Sequence, residues 1–170
     1  MTVIKSNGFV LRPVKLSDAE PFFETMQDKL TKKNLASVPK TLSEAKSEIR
    51  SMIKEMKEKG SEVFTIEVNG KYAGNVILQY QNWDQASKDG RIHMWLHPKF
   101  RGTGLSKKSL NTLIKYGFKK FTRIYAQCKA INKRMIELLE ELNIKKVKTH
   151  NLEGVKRILW VKERIKKAAP

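Results

Sequence analysis

A strand, two glycines and a helix start follow one another between Trp95 and Lys107, in the order Trp-Leu-His-Pro-Lys-Phe-Arg-Gly-Thr-Gly-Leu-Ser-Lys. The first N–H groups of a helix have no partner inside it, and the helix dipole makes that end attractive to phosphate. Gly102 and Gly104 let a bulky anion approach the backbone, and Lys107 and Lys108 add positive charge. Spacing excludes two common phosphate loops. Lys107 stands where the second glycine of G-x-x-x-x-G-K-[ST] belongs, and again where the last glycine of G-x-G-x-x-G belongs. Taken alone, the segment is either an anion cradle or a plain helix start with a turn glycine.

Other reactive side chains are sparse. His93, His97, His150 and the single cysteine, Cys128, do not have metal-ligand spacing, so no structural metal is expected. Cys128 has no disulfide partner within the chain and reads as a buried strand thiol rather than a nucleophile. His97, before Pro98, reads as an exposed loop residue. Trp83, Trp95 and Trp160 sit among strand residues and read as packing groups.

The elements that must position these residues follow from periodicity and caps. Residues 8–14 read as a strand, and Ser17 to Glu20 has the form of a capping box before a helix carrying Ala19, Phe22, Phe23, Met26 and Leu30. Residues 31–40 read as a loop. Thr41 to Glu44 forms a second capping box, and Gly60 stops the helix that follows. Asn69-Gly70 is a two-residue hairpin turn between strands 63–68 and 71–82. A strand over 91–97, a helix from Leu105 to Phe118, a strand over 122–128, a helix over 132–142 and strands over 144–150 and 155–162 complete the chain. The order β-α-α-β-β-β-α-β-α-β-β implies an α/β (α+β) protein, with a central twisted mixed sheet and helices on both faces.

The 170 residues fit a single domain, 1–170, with a short basic tail from about residue 164. Thirty-five Lys and Arg against 17 Asp and Glu give a net charge of +18. Such a field attracts anions, including nucleic acid, but the lysines are dispersed, in the manner of a solvated surface. There is no apolar run of about 18 residues to span a membrane. The opening Met-Thr-Val-Ile-Lys-Ser-Asn-Gly-Phe lacks a signal core, so cytoplasm is the expected location.

Taken together, these segments resemble the GNAT-type N-acetyltransferases, and most closely the branch of ribosomal-protein N-terminal acetyltransferases. Arg101-x-x-Gly104-x-Ser106 is similar to the superfamily pattern [RQ]-x-x-G-x-[GA], with serine as the small last residue. Leu11-Arg12-Pro13 before a Ser-Asp helix start, Trp95-Leu96-His97-Pro98 before Arg101, and Ala130-Ile131-Asn132 opening the penultimate helix resemble that branch. Leu142-Asn143-Ile144 stands where members read Leu-Gly-Phe, and Asn is the next best residue for a left-handed helix cap. The likeness spans nearly the whole chain.

The resemblance implies acetyl-CoA as cofactor, lying where two parallel strands splay apart. The backbone of Met94, Trp95 and Leu96 would pair with pantetheine and polarise the thioester carbonyl. The segment Arg101, Gly102, Thr103, Gly104, Leu105, Ser106 and Lys107 would hold the pyrophosphate, and Asn132 would contact the cofactor from the next helix. A primary amine would attack directly, which demands that it lose a proton. Here the chain departs from the family pattern. The two glutamate base positions are Arg91 and Gln127, and the tyrosine and serine acid positions are Leu139 and Met135. His93, on the same side of its strand as Arg91, is the substitute base, with an ordinary pKa of about 6.5.

The implied activity is transfer to a primary amine, a protein N-terminus or lysine, with the positive field favouring an acidic acceptor. The alternative is a weak or inactive GNAT-fold binding module associated with nucleic acid or the ribosome, since acid and base positions are missing. A plain nucleic-acid binder has the charge in its favour but no helix-turn-helix, zinc-finger or aromatic RNA-binding signature.

Overall fold

The computed structural model describes residues 2–165. Eight strands form one sheet in the order β1-β2-β3-β4-β5-β6-β8-β7. They are β1 (Ile4–Ser6), β2 (Phe9–Pro13), β3 (Glu62–Val68), β4 (Lys71–Tyr80), β5 (Asp89–Leu96), β6 (Arg123–Lys129), β7 (Lys145–Leu152) and β8 (Val155–Glu163). The helices are α1 (Ala19–Gln27), α2 (Lys29–Asn34), α3 (Leu42–Glu58), α4 (Leu105–Gly117) and α5 (Lys133–Glu141). All neighbours are antiparallel except β5 and β6. The mixed sheet and its helix-covered faces are those the pattern implied.

Two cores result. The larger packs Leu110, Leu113 and Ile114 of α4 and Leu139 of α5 against Val76, Leu78, Ile92, Ile124 and Trp160 of the sheet. The smaller packs Phe22 and Met26 of α1 and Ala45 and Ile49 of α3 over Val63 on the opposite face. Both helix stripes repeat at three and four residues, which is why each helix buries one side.

Caps and turns sit where local chemistry puts them. The Thr41 hydroxyl accepts the Glu44 N–H at 3.1 Å, and Gly60 takes the left-handed conformation at φ 64°. Asn69 and Gly70 have positive φ in the β3–β4 turn. Asn143, also left-handed at φ 53°, ends α5 in place of a glycine.

The structure departs from the pattern in four places. Ile4–Ser6 pairs with Phe9–Leu11 as a hairpin through Asn7-Gly8, adding a first strand that the pattern missed. Ser17 does not cap; a 3-10 turn precedes α1, and the Asp18 carboxylate takes the Lys15 N–H at 2.9 Å. That carboxylate is also held by Arg12 at 2.7 and 2.9 Å and by Thr65 at 2.7 Å, which fixes the helix start to β2 and β3. Residues 31–40 are not all loop: α1 breaks at Asp28, whose side chain accepts the Thr31 N–H and caps α2. Trp83 is exposed, with the Lys59 ammonium 4.3 Å over its ring. The basic tail falls mostly outside the described residues.

The feature that makes the site is the seam between β5 and β6. β5 pairs with β4 along its length, from Tyr80↔Gly90 to Gly74↔Leu96. It pairs with β6 only over Asp89–Ile92 against Arg123–Ala126. Beyond Ile92 the two parallel strands splay, leaving one edge of Met94–Leu96 without a strand. Gly74 keeps β4 close there: a Cβ at this position would lie 2.2 Å from the Trp95 carbonyl oxygen.

Candidate functional site

Two connected clefts occupy the splay. The outer one, about 180 Å³, runs from Met94, Trp95 and Leu96 past Arg101, Gly102 and Ser106 to Asn132 and Leu138, with Asn34 and Leu35 opposite. The inner one, about 110 Å³, passes between the strands and is lined by His93, Trp95, Gln127, Cys128, Asn132 and Leu139. The structure thus brings together His93, Met94, Trp95, Leu96, Arg101, Gly102, Ser106 and Asn132.

At the mouth, α4 begins without a side-chain cap. Gly104 is its N-cap, left-handed at φ 77°, and Gly102 has φ 75°. A Cβ on either glycine would meet nothing within 4 Å, so positive φ and open space, not crowding, are what these positions provide. The first backbone N–H of the region with a partner is that of Lys108, which donates to the Gly104 carbonyl at 3.1 Å. The N–H groups of residues 102–107 donate to nothing among the described residues. Leu105 is buried and anchors this turn in the core. The Thr103 hydroxyl turns back to the Phe100 carbonyl at 2.8 Å, leaving its backbone amide as the group on offer. Lys107 is exposed and sits 3.2 Å from Glu141.

Arg101 is not a free cation. Its guanidinium bonds Asp28 at 2.8 Å, the Thr31 hydroxyl at 2.8 Å and the Leu96 carbonyl at 3.3 Å. It therefore ties the strand exit to α2. Burial pushes the Asp28 carboxyl up, but the Thr31 N–H and Arg101 outweigh it and hold the pKa below the usual carboxylate range. Asp28 and Thr31 were missed in the sequence because the apolar spacing runs through them; the Asp-x-x-Thr cap was the available signal. His97 is only 13% exposed, not a free loop residue; its imidazole accepts the Lys99 N–H at 3.3 Å.

Deeper in, the Trp95 indole N–H reaches the Asn75 carbonyl oxygen at 3.0 Å, and Asn75 in turn donates to the Phe64 carbonyl at 3.2 Å. This fixes the ring against Phe22 at 5.9 Å between centroids. Asn132 caps α5 through its side-chain oxygen, 3.2 Å from the Met135 N–H, so its amide NH₂ faces no competing acceptor within the helix. His93 touches solvent through the inner cleft, yet is packed densely enough that desolvation, aided by Arg91, lowers its pKa to about 4. This corrects the expectation of an ordinary histidine. Burial pushes the Cys128 thiol up, as suits an inert strand cysteine. Among the described residues no group of His, Cys, Asp and Glu is arranged to hold a metal ion, and no helix is long and apolar enough to cross a membrane.

A free strand edge, a row of unpaired amides at a helix start and a channel between them fit a long ligand with an amide-bearing arm and a pyrophosphate. Coenzyme A has that form, and the residues present suit it. The family model described as acetyltransferase (GNAT) domain matches residues 9–145. No curated protein sequence matches the chain. Among solved structures, RimL, a ribosomal L7/L12 alpha-N-protein acetyltransferase in complex with coenzyme A, superposes with a TM-score of 0.82 at 15% identity, covering 95% of this chain and 98% of that one. An acetyltransferase from Salmonella typhimurium that modifies the N-terminal serine of ribosomal protein L7/L12 gives 0.84 at 15% identity, over 96% and 100% of the two chains. The microcin C7 self-immunity acetyltransferase MccE, in complex with acetyl-CoA and AMP, gives 0.79 at 21% identity, over 94% of each chain.

Proposed function

The chain belongs to the GNAT acetyltransferase domain family, and on that premise we propose that it moves an acetyl group from acetyl-CoA to a primary amine of a protein or peptide by direct attack of the amine. The observation that carries this reading is the run of free N–H groups over residues 102–107 at the end of a strand whose Met94–Leu96 edge is unpaired. Acetyl-CoA, when bound, supplies an activated thioester. The chain's own groups do the rest. The amides from Gly102 to Lys107 hold the pyrophosphate, with Ser106 small enough to admit it. The backbone of Met94, Trp95 and Leu96 would align pantetheine, and a strand N–H would polarise the acyl carbonyl. Asn132 adds a donor from α5. Arg101 acts as a brace between this loop and α2.

His93 is the proposed proton acceptor. With a pKa of about 4 it stays neutral at pH 7. It is too weak to strip an ammonium ion in advance, but it can take the proton as the C–N bond forms and the nitrogen turns acidic. The neighbours named for modifying a ribosomal-protein N-terminus favour a protein acceptor. Residues 1–170 are proposed to act as one cytoplasmic unit.

The test is calorimetric titration with acetyl-CoA, with ATP and inorganic phosphate as controls. Saturable one-to-one binding that ATP does not reproduce supports the reading. Binding that ATP matches and salt abolishes sinks it. A second reading, a GNAT-fold module that binds without transferring, associated with nucleic acid or the ribosome, is favoured by Arg91, Gln127, Met135 and Leu139 at the usual base and acid positions. Acetyl-CoA binding without transfer to any peptide amine would select it.

A further inference from the structure

The face of the sheet that bears His93 also bears two arginines that no described residue neutralises. Arg91 lies opposite Tyr125 of β6, Tyr125 lies opposite Val161 of β8, and Arg157 is four residues from Val161 on that strand. Alternation along a strand therefore puts Arg91, His93 and Arg157 on one side. Both arginines are half-buried, and among the described residues neither is in an ion pair. Asp89, the acid nearest Arg91 along the strand on this face, gives both oxygens to Arg123, at 2.8 Å each. The Arg157 Nε is buried without a hydrogen-bond partner, as is Nδ1 of His150, the residue opposite it on β7. Burial and the charge of Arg157 together lower the Arg91 pKa, so the two guanidiniums feel one another. Half-buried, unpaired and mutually repelling cations are costly. An anion is what would relieve them.

That anion does not belong to the proposed cofactor. The amides of residues 102–107 follow the far end of β5 and open α4, which packs on the other face of the sheet. On the arginine side, the core cluster beneath α1 and α3 includes no described residue of β6–β8, and α2 reaches the end of β6, where the Lys129 ammonium donates to the Lys33 and Leu35 carbonyls at 2.8 and 2.7 Å. Resting on the transferase reading above, we propose that Arg91 and Arg157 bind a carboxylate of the peptide acceptor itself. Arg91 is two residues from His93, about 7 Å along the strand. That span places the carboxylate within the first two or three residues after the reacting amine.

The experiment uses synthetic hexapeptides that begin with serine and carry Asp-Glu or Asn-Gln at positions two and three. In the unaltered protein kcat/KM is expected to favour the acidic peptide by about tenfold, the scale of one charge-assisted hydrogen bond. In the Arg91→Gln, Arg157→Gln double variant the preference should fall below roughly twofold, with acetyl-CoA affinity retained. Equal use of the two peptides by the unaltered protein overturns the proposal, as does a preference that the double variant keeps. A preference erased by moderate salt in both proteins also overturns it, because that marks the diffuse surface field rather than a half-buried pair. Titration of the same peptides separates this idea from the transferase reading. Tighter binding of the acidic peptide without acetyl transfer supports the pair and sinks the transferase, whereas equal transfer to both peptides does the reverse.

Discussion

At pH 7 the His93 imidazole is uncharged, because burial and the neighbouring Arg91 hold its pKa at about 4. His93→Ala is expected to lower turnover by about tenfold or more while leaving acetyl-CoA affinity unchanged, which steady-state kinetics and calorimetry would read. The same group shapes acid stability. Between its folded pKa of about 4 and the ordinary value near 6.5, the unfolded chain binds a proton that the folded chain refuses. Stability therefore falls as pH falls through that window, and His93→Gln should flatten this part of the dependence in urea unfolding at pH 7 and pH 4.5. The position of His93 was legible from strand parity with Arg91; its proton affinity was not. A pKa depends on how deeply the ring is buried, and the inner cleft around His93 is closed partly by residues far away in the chain, Leu35 and Gln127 among them.

At the scale of elements, what could be read was what is written locally. Thr41, Gly60, Asn69-Gly70 and Asn143 each impose a cap or turn by their own chemistry, and each does so in the structure. The break between α1 and α2 was hidden because Met26 and Leu30 keep a helical interval across Asp28. The Asn7-Gly8 turn carried the same signal as Asn69-Gly70, but its first strand is only three residues long and largely polar. Two substitutions probe the elements around the cleft. Gly104→Ala should cost about 1–2 kcal/mol in denaturant unfolding, since an L-residue must then hold a left-handed conformation, and it should weaken acetyl-CoA binding at the helix start. Asp28→Ala removes both the α2 cap and the Arg101 partner. Its cap term alone is worth about 1 kcal/mol, and hydrogen exchange over Lys29–Asn34 should quicken while that of α3 does not.

Over the whole molecule, a net charge of +18 on 170 residues sets the fold against its own repulsion. Raising salt from very low to physiological strength should raise the melting temperature, the reverse of what a molecule held by surface ion pairs would show. Composition made that legible, and element order made the mixed sheet legible. The depth of the splay was not, because it depends on how many rungs β5 and β6 share, and strand pairing across a crossover leaves no local mark. Among the described residues Asp89–Ile92 alone pairs β5 with β6, so the remainder of the seam is left for a ligand to close. A pantetheine arm lying along Met94–Leu96 would act as the missing stretch of strand. A ligand that binds only the folded chain adds to its stability as its concentration rises, so a filled seam would make the sheet harder to open.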